Sequence, residues 1–170
     1  MLGRERPIPG CYWVHSGRLL AGEYPGAADQ ADAREKLRRL RAAGVTFFLD
    51  LTEEGELDPY VELLEWSDTP LEHRRMAVRD FCAPSETEMV AILDTVDEAL
   101  ADGHVVYLHC WGGVGRTGTV VACHLVRHGA SSDEALRQIE AWLSETPRAD
   151  RDSPETPEQV ALVRSWRAGQ

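Results

Sequence analysis

The sequence predicts a single α/β domain built on a central, mostly parallel sheet flanked by helices, and three observations carry that expectation. Runs with strand character alternate with runs of helical period along the chain. The apolar run Val105-Val106-Tyr107-Leu108 leads through a glycine-rich loop into a helical run. A length of 170 residues, with 43% hydrophobic and 28% charged side chains, suits one globular unit spanning 1–170.

The elements follow in order. Tyr12-Trp13-Val14 and Arg18-Leu19-Leu20-Ala21 read as two short strands joined near Ser16-Gly17, and Gly22 to Gly26 as a turn. From Gln30 to Ala43, Ala33, Leu37 and Leu40 share a helical face, and Gly44 is a stop. Val45 to Leu51 is a strand by composition and by its alternation at 45, 47, 49 and 51. An acidic loop, a helical piece from Val61 to Trp66 and a strand from Glu72 to Val78 come next. Ser85-x-x-Glu88 is a capping box opening a helix that Gly103 ends. The strand 105–108 and a helix from Thr119 to His128 flank the loop. Ser131-x-x-Glu134 caps a further helix. Thr156-x-x-Gln159, with Pro157 at the first helical position, opens the last one.

The chemistry concentrates in the loop Cys110-Trp111-Gly112-Gly113-Val114-Gly115, closed by Arg116 and preceded by His109. It stands before a helix N-terminus, where free N–H groups and the helix dipole favour an anion. Gly112, Gly113 and Gly115 allow the backbone to curl into a nest of N–H groups. Arg116 adds a planar fork for two phosphate oxygens. A cysteine in such a field has its pKa lowered to roughly 3.5–7.5, so Cys110 is expected as a thiolate nucleophile.

His109 to Gly118 resembles the His-Cys-x5-Arg-Ser/Thr signature of the protein tyrosine phosphatase superfamily, in its dual-specificity-like branch. The likeness covers Val45 to Gly129, and the flanks more loosely. It implies a cysteine phosphatase fold and a phosphocysteine intermediate. It also implies a general acid on a loop upstream of the cysteine, and Arg79-Asp80-Phe81-Cys82-Ala83-Pro84 fits that loop, so Asp80 is the expected acid and later base. By the same likeness His109 organises the loop and helps keep the thiol ionised, and the Thr117 hydroxyl bonds the cysteine sulfur. Gln159 has two readings: the glutamine that positions the hydrolytic water in some members, or only a cap. Cys82 also has two: a small apolar residue under the acid loop, or a disulfide partner that traps an oxidised Cys110.

The expected substrate is a phosphorylated protein or a small phosphate ester. Positions 111–115 hold no lysine or arginine to meet extra phosphates, which favours phosphotyrosine, then phosphoserine or phosphothreonine. Arg148 and Arg151 could add rim charge. The other readings are a small-molecule phosphatase, for instance of an inositol phosphate, a phosphate-binding module with little turnover, and a rhodanese-like sulfur transferase. A net charge of −11 argues against nucleic acid and anionic membrane as partners. The first ten residues lack the apolar core of a secretory signal, and a free thiolate suits the cytoplasm. The four cysteines match no zinc pattern. His124 and His128 share a helical face, but the sequence spaces no third ligand to join them. No metal and no cofactor are expected.

Overall fold

The computed structural model describes residues 4–64 and 70–170. Among them five strands form one sheet: β1 (Cys11–His15), β2 (Leu19–Gly22), β3 (Phe47–Asp50), β4 (Glu72–Arg75) and β5 (Val106–His109). Their order is β1-β2-β5-β3-β4. The β1–β2 hairpin is antiparallel, and β2–β5, β5–β3 and β3–β4 are parallel. The helices are α1 (Gln30–Ala42), α2 (Val61–Leu64), α3 (Glu86–Ala101), α4 (Gly115–Arg127), α5 (Ser132–Leu143) and α6 (Pro157–Ser165). This is the single α/β domain with a mostly parallel sheet that the sequence predicts. The helix expected to reach Trp66 is seen to Leu64; its last two positions lie outside the described residues.

Helices cover both sheet faces, so the central strands are apolar on both sides. Val106, Leu108 and Cys110 point into the core shared with α3, α4, α5 and α6. Tyr107 points into the opposite core with Leu37 and Leu40 of α1 and Tyr60. The alternation read at 45, 47, 49 and 51 holds from Phe47 onward. Val45 joins the other core because it precedes the strand. Strand β5 takes in His109, whose register partners are Gly22 on one side and Asp50 on the other. The signature loop thus leaves the carboxyl edge of the sheet at its centre, where ligands of open α/β sheets bind.

Four helices are capped as their sequences dictate. Asp29 accepts from the N–H groups of Ala31 and Asp32 at the start of α1. Complete capping boxes open α3, α5 and α6. Helix α4 differs. It starts at Gly115, four residues earlier than expected, and its cap residue Val114 offers no side-chain hydrogen bond. Its buried first turn, Gly115 to Gly118, is helical because the chain packs there against the rest of the fold, which local composition does not reveal.

The packing of α3 on α4 corrects one expectation. A third metal-type ligand does join His124 and His128: Asp97 of α3, distant in sequence, whose carboxylate lies 3.0 Å from His128 Nε2 and 3.7 Å from His124 Nδ1.

Candidate active site

Cys110 stands at the end of β5 and is nearly buried. It lines a narrow cleft with Asp80, Phe81, the loop residues 111–112 and 114–116, Arg148, Arg151 and Glu155. Among the described residues, the N–H groups of Trp111 to Arg116 donate to no partner outside helix α4. Of the three loop glycines only Gly113 has a positive φ, +73°. A Cβ at Gly113 would also run into the backbone of Gly22 and Glu23, so the loop lies directly on the turn after β2. The Tyr24 N–H donates to the Trp111 carbonyl at 2.9 Å and fastens the same turn. Gly115 is needed for another reason: the Glu155 carboxylate and the Gln159 amide crowd the place of its Cβ.

The Arg116 side chain is buried and crosses to the neighbouring loops. Glu56 holds its guanidinium from both ends, Nη2 to Oε1 at 2.6 Å and Nη1 to Oε2 at 2.9 Å. The carbonyl of Val78 accepts from Nη1 at 3.0 Å. Asp80 Oδ1 lies 3.2 Å from Nη2, so the acid loop is folded over the cleft. Burial works against the Arg116 charge, but Glu56 outweighs it and the guanidinium stays firmly protonated. Burial alone would likewise raise the Glu56 carboxyl; the Arg116 bonds bring it below its ordinary value. Nothing in the acidic run 53–58 distinguishes Glu56 by sequence, and the two partners are 60 residues apart.

His109 is fully buried. Its Nδ1 lies 3.2 Å from the Cys110 carbonyl and its Nε2 2.6 Å from the Tyr60 hydroxyl. A carbonyl only accepts, so Nδ1 carries the proton and Tyr60 donates to Nε2. Burial raises Tyr60 well above its ordinary value and keeps it a donor. Burial lowers His109 to about 4, so at neutral pH it is an uncharged imidazole. Any help it gives to the thiol therefore comes from a neutral ring, whose contact with the loop is the bond to the Cys110 carbonyl. Tyr60 and Asp50, which sequence reading passed over as site residues, complete this support. Asp50 is buried, and burial would raise its carboxyl. Bonds from His73 at 3.1 Å and from Thr52 instead hold it well below the usual range.

Thr117 Oγ1 is buried without a hydrogen-bond partner, so its expected bond to the Cys110 sulfur is not formed here. Arg116 Nε is buried and unpartnered too. Gln159 is fully committed: Oε1 accepts from the N–H groups of Glu155 and Thr156, and Nε2 donates to the Cys82 carbonyl at 3.1 Å. It caps α6 and ties that cap to the acid loop. Cys82 is a free, partly buried thiol, and it is not among the residues lining the Cys110 cleft. Phe81, beside Asp80, is exposed and has a φ of +59°, so the backbone turns sharply where Asp80 meets the cleft. Arg148 lies over the exposed Trp111 ring at 5.8 Å, and Arg151 pairs with Glu155, so both arginines stand at the rim. A wider groove of about 320 Å3 continues past Trp111 between Tyr24, Lys36, Leu57 and Arg148.

Residues 23–130 match the family model described as "Polymorphic toxin system, DSP-PTPase phosphatase". The chain is 32% identical over 146 residues to a protein of Invertebrate iridescent virus 3 named as tyrosine phosphatase 067L, covering 78% of this chain and 58% of that one. It is 31% identical over 121 residues to the phosphatidylglycerophosphate phosphatase PTPMT1 of Arabidopsis thaliana, covering 69% of this chain and 32% of that one. The chain therefore spans between a third and some three fifths of the length of these relatives. The solved structure of Tk-PTP in its active form superimposes with a TM-score of 0.73 and 27% identity, over 92% of this chain and 95% of that one.

Proposed function

Because the chain belongs to the DSP-type protein tyrosine phosphatase family, we propose that it hydrolyses phosphate monoesters through a phosphocysteine intermediate on Cys110, with phosphotyrosine in proteins as its preferred substrate. One observation carries this reading. In the run that follows Cys110, the N–H groups of 111–116 donate to no partner outside α4 among the described residues, and Arg116 Nε and Thr117 Oγ1 are buried without one. Buried polar groups are ordinarily paired, so such a cluster marks the place of a ligand, and these donors all seek an anion.

In this route the Cys110 sulfur attacks phosphorus while the loop N–H groups and Arg116 hold the equatorial oxygens. Asp80 gives a proton to the leaving oxygen, then takes one from the attacking water. Thr117 donates to the sulfur as it leaves. His109 and Tyr60 keep the loop in register, and Glu56 keeps the guanidinium in place. A thiol nucleophile suits a reducing compartment such as the cytoplasm. The groove beyond Trp111 gives the body of the substrate a place to lie.

The Arabidopsis relative named for a phospholipid phosphatase supports a second reading, a lipid or other small phosphate ester. Turnover of a phosphotyrosyl peptide, a phosphoseryl peptide, an inositol phosphate and phosphatidylglycerophosphate by the purified protein separates the two. Cys110→Ser is expected to abolish turnover on every substrate while keeping phosphate affinity, because a hydroxyl does not ionise in this field. Hydrolysis by the serine variant well above background would remove Cys110 as nucleophile.

A further inference from the structure

At the far end of α4 a second set of side chains converges. His124 from the last turn of α4 and His128, the residue that ends it, meet Asp97 of α3, and their ligand atoms all lie within 4.8 Å of one another. The edges given by Asp97 are 3.0 Å to His128 Nε2 and 3.7 Å to His124 Nδ1. A tetrahedral zinc ion with ligands at its usual distance separates them by about 3.3 Å, which falls between the two Asp97 edges.

The second, independent observation is His124 itself. It is 2% exposed, and its Nδ1 is buried with no hydrogen-bond partner, on the side of Asp97. Its other nitrogen, Nε2, lies 3.0 Å from Nε2 of His15 on β1. If His15 accepts there, the proton sits on His124 Nε2 and the Nδ1 lone pair is free. A metal-binding histidine is ordinarily oriented this way, through a partner on its other ring nitrogen. Asp97 is oriented likewise, since its Oδ2 is held by Arg127 at 2.9 Å, leaving Oδ1 to face the histidines. A cavity of about 340 Å3 bounded by His15, Arg18, Asp97, Leu100, His124 and His128 opens on the cluster and gives it access to water.

We propose that Asp97, His124 and His128 bind a divalent transition metal ion of the zinc type, with water in the fourth position and His15 as an orienting partner of His124. Two imidazoles and one carboxylate are a donor set for borderline ions and a poor one for calcium or magnesium. Arg18 and Arg127 place positive charge nearby. Asp94, 2.9 Å from Arg127, answers it together with Asp97. Its two histidines lie about 12 and 18 Å along the α4 axis from Arg116, by the rise of a helix, so the site takes no part in phosphoryl transfer. It would instead bolt α3 to the end of the helix whose start forms the phosphate loop.

The test uses the full chain carrying Cys110→Ser, which removes the cleft thiol as a competing metal ligand. After chelator treatment the protein is titrated with zinc by calorimetry and with cobalt(II) by visible absorption. One ion per chain is expected, with a tetrahedral cobalt spectrum that lacks a thiolate band. His128→Ala and Asp97→Asn, both at partly exposed positions, should each weaken binding by more than about tenfold, and His15→Ala by roughly 10–100-fold. Far-UV circular dichroism of the metal-free variants confirms that they are folded. Binding unchanged in both ligand variants, a thiolate band, or no saturable binding by the folded Cys110→Ser protein would each overturn the proposal.

Discussion

Arg116 is held on several sides by Glu56, the Val78 carbonyl and Asp80, whose carboxylate lies 3.2 Å from the guanidinium. If Asp80 protonates the leaving oxygen, Asp80→Asn should slow esters with poor leaving groups, such as alkyl phosphates, by the roughly 10²–10⁴-fold typical of lost acid catalysis. Aryl phosphates with good leaving groups should slow far less. A leaving-group series with equal losses throughout would assign the acid elsewhere. His109 makes a separate prediction for stability. Its native value of about 4 lies below the unfolded value of roughly 6.5. Between the two, the unfolded chain binds a proton that the native state refuses, so stability rises with pH across this window. Acidification from about pH 6.5 toward 4 should therefore cost up to about 1.4 kcal/mol per pH unit from this group alone. Urea midpoints that stay level between pH 7 and pH 5 would contradict it. At this scale Cys110, Arg116, His109 and Thr117 were legible as candidates from the signature, and Asp80 from the loop upstream of it. Glu56, Asp50, Tyr60 and Asp97 were not, because their meaning lies in partners 30 to 60 residues away.

At the scale of elements, the caps were readable because each sits within three residues of the N–H it serves. The start of α4 was not, because glycines and a buried arginine become helical only through packing. Helix α6 tests how a local motif acquires a distant task. Thr156→Ala removes one half of the capping box and should lower stability by about 1 kcal/mol with little change in kcat. Gln159→Ala removes the other half and also the bond to the Cys82 carbonyl. It should lower stability by a similar amount and in addition reduce kcat, most for poor leaving groups, because the acid loop loses its tie. Thermal melts beside the leaving-group series read both. Equal kinetics in the two variants would reduce Gln159 to a cap.

Across the whole molecule, the β1–β2 hairpin was legible from its short connection, whereas the placing of β5 between β2 and β3 was not. Leu19 and Val106 pair across about half the length of the chain, and no local pattern records that register. The charge of the chain is legible and has a kinetic consequence. With a net −11, the surface as a whole repels a dianionic substrate, and the donors around Cys110 and the arginines at the cleft rim attract it over a short range. Screening shortens the reach of surface charge to about 8 Å at physiological ionic strength. The value of kcat/KM for an aryl phosphate should accordingly stay level or rise as salt is added from low to physiological strength. A fall of roughly tenfold would reveal long-range attraction that this charge does not provide.

The contact of Gly113 with the backbone of Gly22 and Glu23 has a consequence for how damage in this protein would present itself. The curvature of the phosphate cradle is a cast taken from the turn after β2, set when the sheet assembles, and the ligand inherits it ready-made. A lesion in that turn, some ninety positions before the nucleophile, would leave every reacting group in place and still deform the cast. The injury would lie in the scaffold while its symptom appeared in the chemistry.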